Sequence, residues 1–254
     1  MMRRWWHYLV IGFVAWLFFM LWRFPAAAAY GMAAESFGGM VRVVGLSGTV
    51  WHGKAQQLQY RQRAVGSINW QLSPWGLLVG RLGGELMVNQ GDAFLQAGGD
   101  MPIGGGEVEL SKLEGRLPLT LLQPYLTMLP VPLDGVVSLK LEDILLNAEG
   151  RLQQTQGRIV WHQAGVLAPQ KLPFGDLQLT LQPREGGGIE GEIRDSGGPL
   201  QLSGKLTLGT DGAYQLQGQV KASDSAPAQL RSTLAMLGKA DSQGFHSLNF
   251  SGTL

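Results

Sequence analysis

Leu200, Leu202, Leu206 and Leu208 alternate with Gln201, Ser203, Lys205 and Thr207. Gly209-Thr-Asp-Gly212 follows, and then Tyr214, Leu216 and Val220 alternate with Gln215, Gln217, Gln219 and Lys221. Period-two alternation on both sides of an Asp-Gly turn predicts a β-hairpin with one apolar and one wet face. The same texture recurs at Leu177 to Gln182, at Val137 to Leu141, at Ile68 to Trp75 and at Leu248 to Gly252. Strands with a single apolar face predict antiparallel sheet, because strands of parallel sheets are apolar on both faces. The expected fold is mainly β, a curved antiparallel sheet of half-barrel or groove-like form.

Two stretches read as short helices. Ala226 to Leu237 places Leu230, Leu234 and Leu237 along one stripe, with Asp224 or Ser225 as cap, Pro227 in the first turn and Gly238 beyond the end. Leu119 to Leu129 is bracketed by Pro118 and Pro130 and interrupted by Pro124. Two short helices cannot cover so much apolar sheet. The sheet must therefore fold on itself, pack on a second sheet, or leave a groove open.

The first residues follow a different rule. Arg3 and Arg4 precede an apolar run of 18 residues from Trp5 to Trp22, and Arg23 closes it. As a helix that run is about 27 Å long, against about 30 Å for the hydrocarbon core of a bilayer. Leu9, Phe13, Leu17, Phe18 and Leu21 supply the apolar length, and Trp5, Trp6 and Trp22 sit where interfacial aromatic belts form. Two arginines before the run and one after it predict a cytoplasmic N-terminus. A retained anchor over residues 1–24 suits the length and aromatic content, although Ala26 to Ala29 also offers a small-residue cleavage site. Either way the remainder is periplasmic: a spacer at 25–39, then a β-rich domain at 40–254. Gly48-Thr-Val-Trp51-His52 is echoed by Gly157-Arg-Ile-Val-Trp161-His162, which raises two related halves, 40–130 and 131–254.

Composition narrows the chemistry. Twenty basic residues against 19 acidic ones, with no basic stripe interleaved with aromatics, argue against nucleic acid as a partner. The absence of cysteine excludes disulfides and thiolate metal sites. Histidines at positions 7, 52, 162 and 246 lack the spacing of a metal site. Gly186-Gly-Gly188-Ile-Glu-Gly191 matches a dinucleotide fingerprint in letters only, because no helix follows it, and a hairpin loop is expected instead. No nucleophile elbow is present, and the carboxylates fall at turn and strand-face positions. No catalytic residue, cofactor or metal is expected. Trp51, Trp70, Trp75 and Trp161 are left as core residues or, with Leu179, as a surface for a partner or an acyl chain.

The succession of motifs resembles a known family. It comprises the apolar run, Gly48 to Gly53, the Ile68 to Trp75 segment, the proline-bracketed helix before Asp134-Gly-Val-Val-Ser-Leu, Gly157 to Trp161, and Leu172-Pro-Phe-Gly-Asp-Leu177. Together they are similar to the protein N family of the type II secretion system of Gram-negative bacteria, over nearly the whole chain. The resemblance implies a single-pass inner-membrane accessory component, not an enzyme. Its partners would be other inner-membrane and periplasmic subunits of the apparatus, which exports folded proteins from the periplasm across the outer membrane. The family is also loosely similar to anchored periplasmic β-proteins of the AsmA-like kind, so a lipid-binding or lipid-shuttling groove is the alternative.

Overall fold

The computed structural model describes residues 8–9, 11–13, 15–16, 19–20, 22–33, 40–61, 63–123, 132–167 and 171–253. The described residues between 8 and 22 are helical. Among the described residues, no helix is long and apolar enough to cross a membrane. The chain divides into two compact units, residues 1–91 and 92–254.

In the first unit, helix α1 (Ala26–Ala33) occupies part of the expected spacer. Four consecutive alanines behind Pro25 favour it, since alanine forms helix best and proline suits a helix start. Strands β1 (Val41–Val44), β2 (Ser47–Gly48), β3 (His52–Tyr60), β4 (Arg63–Ser73) and β5 (Arg81–Gln90) follow, all antiparallel. They are ordered β1-β3-β4-β5, with β2 against β3. The strand expected from Ile68 to Trp75 stops at Ser73. Pro74 has no N–H to give a ladder, and Pro74–Val79 turns into a 3-10 helix.

The second unit is a meander of β6 (Ala93–Pro102), β7 (Val108–Pro118), β8 (Leu133–Leu146), β9 (Leu152–Val166), β10 (Leu172–Pro183), β11 (Ile189–Asp195), β12 (Leu200–Leu208), β13 (Ala213–Ala222) and β14 (His246–Thr253). Each strand pairs antiparallel with the next. The register sorts residues by face, because directly paired residues point to the same side. Leu113, Leu141, Gly157, Leu181, Gly191, Leu206, Leu216 and Phe250 form one continuous row across β7 to β14. The neighbouring row on the other face reads Glu114, Lys140, Arg158, Thr180, Glu192, Lys205, Gln217 and Asn249. One face is apolar and the other polar, as the alternation requires.

Two clusters occupy the apolar side. Helix α2 (Leu119–Leu122) is the described part of the expected Leu119–Leu129 helix, and residues 124–129 lie outside the described residues. Helix α3 (Ala228–Ala235) buries Leu230 and Leu234 on Leu200, Val220 and Ala226. It begins two residues later than expected and without a side-chain cap, because Pro227 takes the cap position. The second cluster, Leu141, Ile144, Leu181 and Ile189, is built by strands β7 to β12 alone. Leu141 and Ile144 are three apart, yet both are buried. A register irregularity beyond Glu142, where Asp143 takes φ 50°, returns Ile144 to the core side.

Candidate functional site

Of the expected anchor residues, Leu9, Phe13 and Trp22 are helical and exposed, while Trp5, Trp6, Leu17, Phe18 and Leu21 lie outside the described residues. Trp51 and Trp70 belong to the first unit, Trp161 and Leu179 to the second.

The half-buried indoles of Trp70 and Trp161 are each fixed by a bond to the backbone. Trp70 on β4 donates its ring N–H to the Val50 carbonyl at 2.9 Å and covers Gly53, its partner on β3. A Cβ on Gly53 would lie 2.2 Å from that ring. Trp161 on β9 donates its ring N–H to the Asp134 carbonyl at 2.8 Å. It also stands edge-on to Phe174, ring centroids 6.4 Å apart, and a Cβ on Gly135 would lie 2.7 Å from its nitrogen. Trp161 thus shares its local arrangement with Trp70. Trp51 lies just before β3, where its carbonyl accepts the Leu72 N–H at 2.6 Å. Leu179 on β10 packs against the Leu141–Ile189 cluster and is directly paired with Ile159 and Ile193.

The titratable groups form pairs and ladders. His162 Nδ1 lies 3.2 Å from an Asp176 carboxylate oxygen, and the other oxygen accepts the Gln163 N–H at 2.8 Å. These bonds, the Gln163 amide first, hold the Asp176 carboxyl below the usual aspartate range. His52 is exposed on β3, His246 contacts the Gly238 carbonyl, and His7 lies outside the described residues. A hollow of about 700 Å³ opens on the polar face of β6 to β10, lined by charges of both signs at Glu114, Arg116, Lys140, Glu142 and Arg158. Glu114 is held below its usual range by the Lys112 ammonium 2.8 Å away, with Lys140 adding to it. Gly186 to Gly188 take positive φ in the β10–β11 turn, and the chain continues as β11, so that turn is a hairpin loop. Among the described residues, no group of three His, Cys, Asp or Glu could hold a metal ion.

Trp75, expected at the end of a strand, lies instead in the Pro74–Val79 turn. Trp75, Leu77, Leu78 and Val79 are 61%, 42%, 81% and 75% exposed, and the Trp75 ring stands 5.9 Å from that of Trp22. The visible signal was a Pro-Trp-Gly-Leu-Leu-Val run in which the strand alternation stops.

A meandering antiparallel sheet with one apolar face, and tryptophans tied to its backbone, places the chain among the mainly β proteins. Residues 40–249 match the sequence model of type II secretion system protein N, and the chain belongs to that family. It is 28% identical over 247 residues to type II secretion system protein N of Aeromonas hydrophila, covering 95% of each chain. The protein of the same name from Pectobacterium carotovorum subsp. carotovorum is 28% identical over 226 residues, covering 85% of each. That of Vibrio cholerae serotype O1 is 28% identical over 221 residues, covering 84% of this chain and 85% of its own. No solved structure matches the chain.

Proposed function

We propose that this protein is a non-enzymatic accessory component of type II secretion, held at the inner membrane by residues 1–24 and acting on other subunits through its periplasmic β region. Residues 25–39 link the anchor to a β region at 40–254. The observation that carries the reading is the family match across 40–249, which includes strands of both compact units. The residues add consistent chemistry. Trp70 and Trp161 are tied into the backbone, and ionisable groups sit on exposed ladders of the kind through which proteins meet other proteins by charge complementarity.

Photocross-linking in cells at Leu179 and at Thr180 tests it, because adjacent strand residues face opposite sides. Adducts to secretion subunits at either position support the scaffold reading and say which face is used. Adducts to phospholipid alone would replace it with a lipid-handling groove. A deletion strain that secretes its exoproteins at the full level would remove any necessary role.

A further inference from the structure

We propose that the Pro74–Val79 turn is a second membrane contact, seated in the periplasmic interfacial layer of the bilayer beside the end of the N-terminal apolar run. The inference rests on reading residues 1–24 as the anchor and adds a lipid-binding surface to it.

The turn is an apolar knob. Its side chains are Trp75, Leu77, Leu78 and Val79, all exposed, with Leu78 and Val79 bare to 81% and 75%. Such a contiguous set is rare on a surface meant for water alone. No acidic residue occurs between Ser73 and Gly84, and Arg81 follows the turn directly. The turn itself carries no charge, and Glu85 lines the hollow beside Trp22 and Trp75, so the proposed contact is apolar and not electrostatic.

The knob is also built to hold its shape. Pro74 fixes the first turn, and Gly80 ends it in the left-handed region at φ 71°, its N–H turned to the carbonyls of Gly76 and Leu77. A Cβ on Gly76 would lie 2.4 Å from the Arg81 carbonyl, so the two ends of the turn close on each other. Apolar side chains on a stiff turn lose little freedom on entering lipid.

Its position is set by the chain that precedes it. The Phe24 carbonyl accepts the Val50 N–H at 3.0 Å, and Pro25 bridges Thr49. The Tyr30 hydroxyl donates to the Val41 carbonyl at 3.1 Å and accepts the Val43 N–H at 3.3 Å. The segment just after the apolar run is therefore stitched to β1 and to the β2–β3 turn of the first unit. Trp22 closes the run, at the depth where tryptophan belts form. Trp75 stands 5.9 Å from it, ring edge to ring face. The interfacial layer on each side of a bilayer is of similar thickness, roughly 5–7 Å. Wherever Trp22 meets the headgroups, Trp75 meets them too, and Leu78 and Val79 reach towards the acyl chains. A protein partner would need to compete for this surface against the leaflet already beside it, and for that reason lipid is the occupant.

The chain has no cysteine, so a single label can be placed without background. Full-length protein carrying Leu78→Cys is labelled with the fluorophore NBD and placed in nanodiscs of phosphatidylethanolamine and phosphatidylglycerol. A second sample carries the label at Leu9→Cys, within the apolar run. Leu78 is 81% exposed, so the change removes almost no packing. The expected result is blue-shifted emission at position 78, quenched by brominated acyl chains and protected from iodide, as for a group roughly 5–10 Å into the headgroup and acyl boundary. Iodide quenching at 78 with lipid quenching at 9 would overturn the second contact and leave the anchor standing. Iodide quenching at both positions would overturn the anchor reading and this one with it. Protection of position 78 from both quenchers would show a protein covering the turn, and that also overturns the proposal.

Discussion

Trp70 and Trp161 meet the same local problem on two different strands. A large ring lying along a sheet needs room underneath and a partner for its N–H. Glycine on the adjacent strand supplies the room, Gly53 in one case and Gly135 in the other. A backbone carbonyl accepts the proton, from Val50 and Asp134 respectively. Gly135 carries a further constraint, since its φ of 108° strains any residue with a Cβ, and that Cβ would lie 2.4 Å from the His162 carbonyl. Gly135→Ala is expected to cost about 1–3 kcal/mol in urea unfolding, and an unchanged midpoint would refute the steric account. Trp161→Phe keeps most of the ring but strips the Asp134 carbonyl of its donor, at about 1 kcal/mol. Asp176 gives a pH signature. Its carboxyl is lowered, chiefly by the Gln163 N–H and then by His162, from an ordinary value of 3.8. A lowered carboxylate contributes stability that is full above that ordinary value and is lost as pH falls through the lower folded value. Asp176→Asn should therefore be less stable than the parent near neutrality, with the gap closing below pH 3.8. A gap that stays constant into acid would mean the bonds are not electrostatic in origin.

At the scale of elements, legibility followed alternation. The hairpin of β12 and β13 could be read because both strands alternate strictly and the turn names itself. Gly209 N–H reaches the Ala213 carbonyl at 2.8 Å, and the Asp211 carboxylate takes the Ala213 N–H at 3.0 Å. Where alternation breaks, the reading broke too. Helix α1 hid in alanines that read as a spacer, and the apolar turn after β4 read as more strand. The irregularity at Asp143 depends on one positive φ that aspartate tolerates and no pattern announces. Of the site residues, the tryptophans were legible as large apolar groups, but their carbonyl partners were not. Val50 lies 20 residues from Trp70, and Asp134 lies 27 residues from Trp161, separations that only the register reveals. Helix α3 shows what packing adds to pattern. Its first turn has no side-chain cap, so its stability comes from Leu230 and Leu234 on the sheet rather than from its ends. Leu230 is 1% exposed, and Leu230→Ala should cost about 2–5 kcal/mol. The exposed neighbour Gln229→Ala should stay within about 0.5 kcal/mol. Equal losses at both positions, measured by denaturant unfolding, would mean the helix is held by something other than that apolar contact.

For the molecule as a whole, the part that defines the family is the β region, since the match begins at residue 40, beyond the apolar run. The role proposed for the N-terminal segment is then one of location. A tether confines the β region to a thin layer against the membrane and so raises its effective concentration at partners embedded there. Contacts made through exposed charge ladders are individually weak, commonly below about 1 kcal/mol each. They gain most from such confinement, because weak binding is far from saturated at ordinary periplasmic levels. Replacing residues 1–24 with a cleavable export signal would release the same β region into the periplasm with its faces unaltered. Secretion measured as exoprotein in the medium should fall at native expression, and strong overproduction of the released form should restore it by mass action. Full secretion at native levels would show that the tether is dispensable and that contacts of the β region suffice alone. Failure to recover at any level would point instead to the apolar segment itself, or to the Trp22–Trp75 contact beside it, as part of the working surface.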